Sequence, residues 1–76
     1  MDLVELQDRL EHTERNISEA KRHIDRIREL VIELQRGGND LRLAMNLLRQ
    51  FEQRLATYIS ERHRLRKELG LPAWRP

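Results

Sequence analysis

The stretch Leu34-Gln35-Arg36-Gly37-Gly38-Asn39-Asp40-Leu41 stands at the middle of a 76-residue chain and decides how that chain folds. Two of the three glycines fall here, side by side. A glycine just past a helical run is the usual left-handed stop, because it has no Cβ to clash. Asn-Asp directly after it offers side-chain oxygens to the free N–H groups of a new helix. The spacing predicts one sharp turn over residues 37–40 with a helix on either side.

Working outward from the turn, both sides carry the same rhythm. Upstream, Leu3, Leu6, Leu10, Thr13, Ile17, Ala20, Ile24, Ile27, Val31 and Leu34 follow one another at alternating steps of three and four, and only Thr13 is polar. Downstream, Leu41, Ala44, Leu48, Phe51, Leu55, Tyr58, Arg62, Leu65 and Leu69 do the same, with Arg62 the one charged intruder. Steps of this kind place the residues on a single seam of a coiled-coil helix. Folding the seams together about the turn pairs residues whose numbers sum to 75: Leu34 with Leu41, Ile24 with Phe51, Ala20 with Leu55, Leu10 with Leu65, Leu6 with Leu69. The two polar seam residues, Thr13 and Arg62, fall in the same layer. That position suits Arg62 to a register lock, its guanidinium reaching out to Glu11, Glu14 or Glu61. Flanking positions expected to meet, Lys21 with Glu52, Arg9 with Glu68 and Asp2 with Arg75, are of opposite sign; exposed pairs of this kind contribute at most about 1 kcal/mol each.

The expected fold class is all-α: an antiparallel two-helix coiled-coil hairpin occupying the single domain 1–76. Helix one is expected over about 2–36, the turn over 37–40, helix two over about 40–69 and a non-helical tail over 70–76. Asp2 with Glu5 reads as a capping box, and Gly70-Leu71-Pro72 as a helix stop. Apolar residues at 38% and charged residues at 37% are the composition of a long charged helix. The absence of cysteine excludes a disulfide scaffold, a thiolate nucleophile and any thiolate-bound zinc. No uninterrupted apolar stretch exceeds three residues (Leu30 to Ile32, for example), against about 20 for a membrane span. The start, Met1-Asp2-Leu3-Val4-Glu5, is acidic where a secretory signal would be basic. The expectation is a cytoplasmic chain with no membrane partner.

A two-helix rod leaves both broad sides of its seam wet, which favours a partner. Leu30, Leu43, Met45, Leu47 and Ile59 lie outside the seams, most of them within two turns of the diglycine, and are the expected self-association interface, along with the nearby Ile32. Two hairpins joined there would form a homodimeric four-helix bundle.

Little in the chain suggests catalysis. Asp8 and Glu19 stand four residues before His12 and His23, close enough to share a helix face, but zinc needs three or four convergent ligands, and in the heptad frame His12 and His63 point away from the seam while His23 lies on its flank. Ser18 and Ser60 have no base at a usable spacing. No enzyme, cofactor or metal is expected. The densest basic run, Arg62-His63-Arg64-Leu65-Arg66-Lys67, makes Arg62, Arg64, Arg66 and Lys67, together with Trp74, the candidate contacts for a nucleic acid or another partner. Against this, residues 1–38 carry nine acidic and seven basic side chains and residues 39–76 four acidic and eight basic, so the halves complement each other, and the net charge is only +2. Nucleic-acid association therefore stands second to a structural or protein-interaction module. Trp74 is expected to fold back towards Leu3 and Leu71, or else to serve as an exposed anchor.

The arrangement Lys21-Arg22-His23-Ile24, Ile27, Leu34, Gly37 to Asp40, Leu47-Leu48-Arg49-Gln50-Phe51-Glu52 and His63-Arg64-Leu65 resembles a group of short uncharacterised helical-hairpin proteins of soil and plant-associated proteobacteria. The resemblance spans about residues 20–69. It implies a cytoplasmic helical hairpin and carries no activity with it.

Overall fold

The computed structural model describes residues 2–71. Two helices account for nearly all of them: α1 (Leu3–Arg36) and α2 (Arg42–Glu68). They pack against each other as a hairpin measuring 52 × 25 × 14 Å. At 1.5 Å per residue the 34 residues of α1 span the whole length of this rod.

Each helix end has an identifiable cause. Asp2 is the N-cap of α1, in extended backbone, and its Oδ1 accepts the Glu5 N–H at 2.9 Å. At the other end the Gly38 N–H donates to the Gln35 carbonyl and the Asn39 N–H to the Leu34 carbonyl, with Gly38 at φ +70°. These two bonds and the left-handed residue between them are a Schellman stop. The left-handed position is thus the second glycine; Gly37 keeps a right-handed φ of −81°. The same motif ends α2, where Gly70 (φ +72°) donates to Lys67 and Leu71 to Arg66.

Helix α2 begins two residues later than the sequence suggests. Asp40 caps it from one position ahead of the N-cap residue, Leu41: its Oδ1 accepts the Arg42 N–H at 2.9 Å, and its carboxylate also holds the Arg42 guanidinium, 2.8 Å between Oδ2 and Nη2. That short side chain bonding two residues ahead forms an Asx turn and takes Asp40 out of the helix. The proposed tail contact of Trp74, and the Asp2–Arg75 pair, involve residues outside the described ones.

The core follows the two seams. Leu6, Leu10 and Leu65 form a buried cluster with Leu69 against it, which brings together the residues of the Leu10–Leu65 and Leu6–Leu69 layers. Thr13, Ile17, Ala20 and Ile24 continue the buried stripe of α1. Burial is lopsided along the rod. Towards the bend, Ile27, Val31, Leu34, Leu41 and Leu48 are only half-buried, and Ala44 alone is fully covered.

Candidate functional site

The two broad flanks of the hairpin can be assigned from their ion pairs. On one, Arg9 Nη2 lies 3.3 Å from Glu61 Oε1. On the other, Arg28 Nη2 lies 4.0 Å from Glu52 Oε2, and Arg66 Nη1 lies 3.6 Å from Glu14 Oε1. The residue numbers of the first pair sum to five less than 75 and those of the other two to five more, so the flanks bracket the seam symmetrically. The partners expected from sequence are displaced by one heptad, about two turns: Arg9 takes Glu61 in place of Glu68, which bonds Arg64 instead, and Glu52 takes Arg28 in place of Lys21.

The first flank carries a ring contact. His23 stacks near Phe51 with centroids 5.1 Å apart and planes 31° from parallel, and the Arg54 guanidinium carbon lies 5.4 Å from the Phe51 centroid. The Arg54 distance is within the range of a cation–π attraction. One heptad closer to the bend, His23 leads to Leu30 and Arg54 leads to Leu47, with Leu43 a further turn along. A heptad step returns a side chain to the same side of the helix. Leu30, Leu43 and Leu47 therefore share this flank. Leu30 is 42% exposed and Leu43 74%.

Met45 and Ile59 belong to the opposite flank, so the five residues expected to form one interface lie on two faces of the hairpin. Ile59 lines a groove there with Lys21, Ile24, Arg28 and Glu52, and Met45 stands two heptads before Ile59. The physical reason is elementary: Leu43 and Met45 are two residues apart, and side chains at that spacing do not face the same way. On this second flank the Arg28–Glu52 pair separates Ile59 from the exposed Ile32 and Met45.

The basic run does not present one face. Arg66 is only 5% exposed and reaches Glu14, so it is not the surface contact that the sequence suggests. It also takes the buried place expected of Arg62, which is half-buried. The two arginines stand one turn apart on the same stripe, and Arg66 has Glu14 beside it across the hairpin. Arg64 is held by Glu61 at 3.4 Å and Glu68 at 3.3 Å. Of the expected contacts, Lys67 remains exposed, as does the neighbouring His63, and Trp74 lies outside the described residues.

Asp40 has its pKa lowered, first by the Arg42 guanidinium and then by the Arg42 N–H, and Arg42 is raised by the same contact. This pairing serves the turn. Among the described residues no group of three or more His, Asp or Glu is placed to hold a metal ion, and no helix is long and apolar enough to cross a membrane. Comparison with protein-family models, with curated proteins and with solved structures finds no match to the chain.

Proposed function

We propose that this protein is a non-enzymatic structural or protein-interaction module that works as a self-associating helical hairpin, two copies joining through their bend-proximal halves into a four-helix bundle. The observation that carries the reading is the bend-proximal half, where the seam is only half-buried and Leu30 and Leu43 stay exposed on one flank and Ile32 and Met45 on the other; Leu3, Val4 and Leu71 are the exposed large apolar residues of the open end. On the first flank Leu30 and Leu43 flank the half-buried Leu47, and neighbouring large apolar side chains of this kind mark an association surface more often than isolated ones do.

Surface area supports it. The chain exposes 6088 Å², whereas a compact monomer of its mass exposes about 4,900 Å². The radius of gyration, 16.2 Å, likewise exceeds the value of about 11 Å for a compact domain of this length. A standard interface removes about 800 Å² from each partner, which is most of the excess.

Light scattering at tens of micromolar chain tests the proposal. A dimer mass, returned to the monomer value by Leu30→Glu with Leu47→Glu, supports it. A monomer mass, with no effect of the paired substitution on size or stability, refutes it. Arg64 and Arg66 of the 62–67 run pair with carboxylates of the hairpin, which weighs against nucleic-acid association as the second reading.

A further inference from the structure

We infer that two copies meet across the Leu30–Leu43–Leu47 flank about a two-fold axis perpendicular to the rod near the level of Arg28 and Leu47, so that only the bend-proximal halves overlap and the open ends point away from each other. This arrangement rests on the self-association proposed above and adds the face used and the direction in which the copies run.

The choice of face follows from continuity. On the first flank Leu30, Leu43 and Leu47 run into Phe51 with His23 and Arg54 around it, and none of the ion pairs among the described residues falls between them. On the second, the Arg28–Glu52 pair stands between Met45 and Ile59, so covering that flank would strip water from a long, weak pair at 4.0 Å. A second copy is the natural cover for the first flank because the hairpin supplies one layer of a two-layer bundle, and a two-fold contact sets the same leucines against themselves.

The direction follows from charge. Towards the open end the same flank becomes the chain Arg9–Glu61–Arg64–Glu68, all four exposed or half-exposed and mutually paired. Full antiparallel overlap would lay the leucines of one copy over these charges of the other. Full parallel overlap would bury the charges against their own copies. Both bury ion pairs that are of little worth even in water. Overlap of the bend halves alone sets Leu47 against its own copy and Leu43 towards the level of Phe51, His23 and Arg54, and leaves the network wet. The shared face is then about 25 Å long, counting residues from the bend to the axis at 1.5 Å each and doubling, on a rod 25 Å wide. That is on the small side of a standard interface, so a dissociable dimer is expected.

With no native cysteine, Gln7→Cys, at an exposed site near the open end, gives a single position for a nitroxide label on the full chain. Electron-spin distance measurement separates the arrangements. Bend-half overlap places the two labels about 60–65 Å apart, full antiparallel overlap about 40 Å, and parallel overlap within about 30 Å, taking 1.5 Å per residue from each axis. Substitutions at the two flanks give a second, independent reading. Leu30→Glu is expected to weaken the dimer at least about tenfold, and Met45→Glu or Ile32→Glu to change it by less than about twofold, because a charge is costly only where it is buried. A short distance, or greater sensitivity at Met45 and Ile32, overturns this arrangement while leaving a dimer standing. A monomer mass with no dipolar coupling overturns the dimer too.

Discussion

Gly37 and Gly38 are adjacent and chemically identical, yet the geometry of the bend predicts opposite effects of an added methyl group. Gly38 sits at φ +70° with open space where a Cβ would go, so Gly38→Ala meets no atom and its cost is backbone strain alone. For an L-residue in the left-handed region that strain is about 1–2 kcal/mol. Part of it is offset by the smaller entropy of the unfolded chain, about 0.4–1 kcal/mol. A net loss of about 1 kcal/mol lowers Tm by about 4–8 °C in a domain of this size. Gly37→Ala is different. At φ −81° the backbone suits alanine, and the one tight approach is 2.6 Å to Asn39 Nδ2, the far end of a side chain that can rotate away. The entropic gain then dominates, and Gly37→Ala should be neutral or raise stability by up to about 0.5–1 kcal/mol. Gly38→Asn should fall between, since asparagine tolerates the left-handed region. Thermal unfolding followed by circular dichroism, with every variant at one chain concentration because association shifts Tm, measures the difference. Equal losses at the two positions, or a larger one at Gly37, would refute the reasoning.

Other substitutions probe the helix ends and the buried cation. Asp2→Ala removes the acceptor of the Glu5 N–H and should cost about 1 kcal/mol, whereas Asp2→Ser should restore most of it; urea titration reads both. Arg66→Met keeps the volume of the buried stem and removes its charge, so it should leave stability within about 1 kcal/mol. Glu14→Ala removes a carboxylate from beside the buried guanidinium and should cost about 1–2 kcal/mol; a larger loss for Arg66→Met would mean that the ion pair stabilises the fold more than packing does. Because Asp40 has a lowered pKa in the folded chain, its contribution is present above the ordinary carboxylate value and lost as pH falls through the lower, folded one. The Tm difference between wild type and Asp40→Asn should therefore shrink as pH drops from about 5 to about 2, and a constant gap would exclude Asp40 as its source.

The hairpin was legible in the sequence because two independent signals coincided. One seam on each side of a diglycine gives helices, and matching layers across the turn give their pairing, with Leu6, Leu10, Leu65 and Leu69 meeting as the arithmetic requires. Asp2 and Gly70 were legible for the same kind of reason, since capping chemistry is local. What pattern could not supply was anything decided by three-dimensional sidedness. Two neighbouring glycines look alike until hydrogen bonds choose the left-handed one. Arg62 and Arg66 share a stripe, and only the position of Glu14 across the hairpin distinguishes the buried one. Leu43 and Met45 both read as surplus apolar residues near the bend, although the turn of the helix sends them to opposite flanks. Heptad position taken flank by flank separates Leu30, Leu43 and Leu47 from Met45 and Ile59.

The gradient of burial along the rod has a consequence for motion. Connected hairpins ordinarily open from their loose ends, where nothing ties the strands or helices together. Here Leu65 is wholly enclosed at the untethered end, while the layers beside the covalent link are half in water. Amide exchange tracks local opening. Protons near Leu10 and Leu65 should therefore outlast those near Val31 and Leu48 in the isolated chain, and docking of a second copy should slow the latter most. Recognition would then do for the tethered half what the leucine cluster already does for the free one, so that joining and stiffening become a single event.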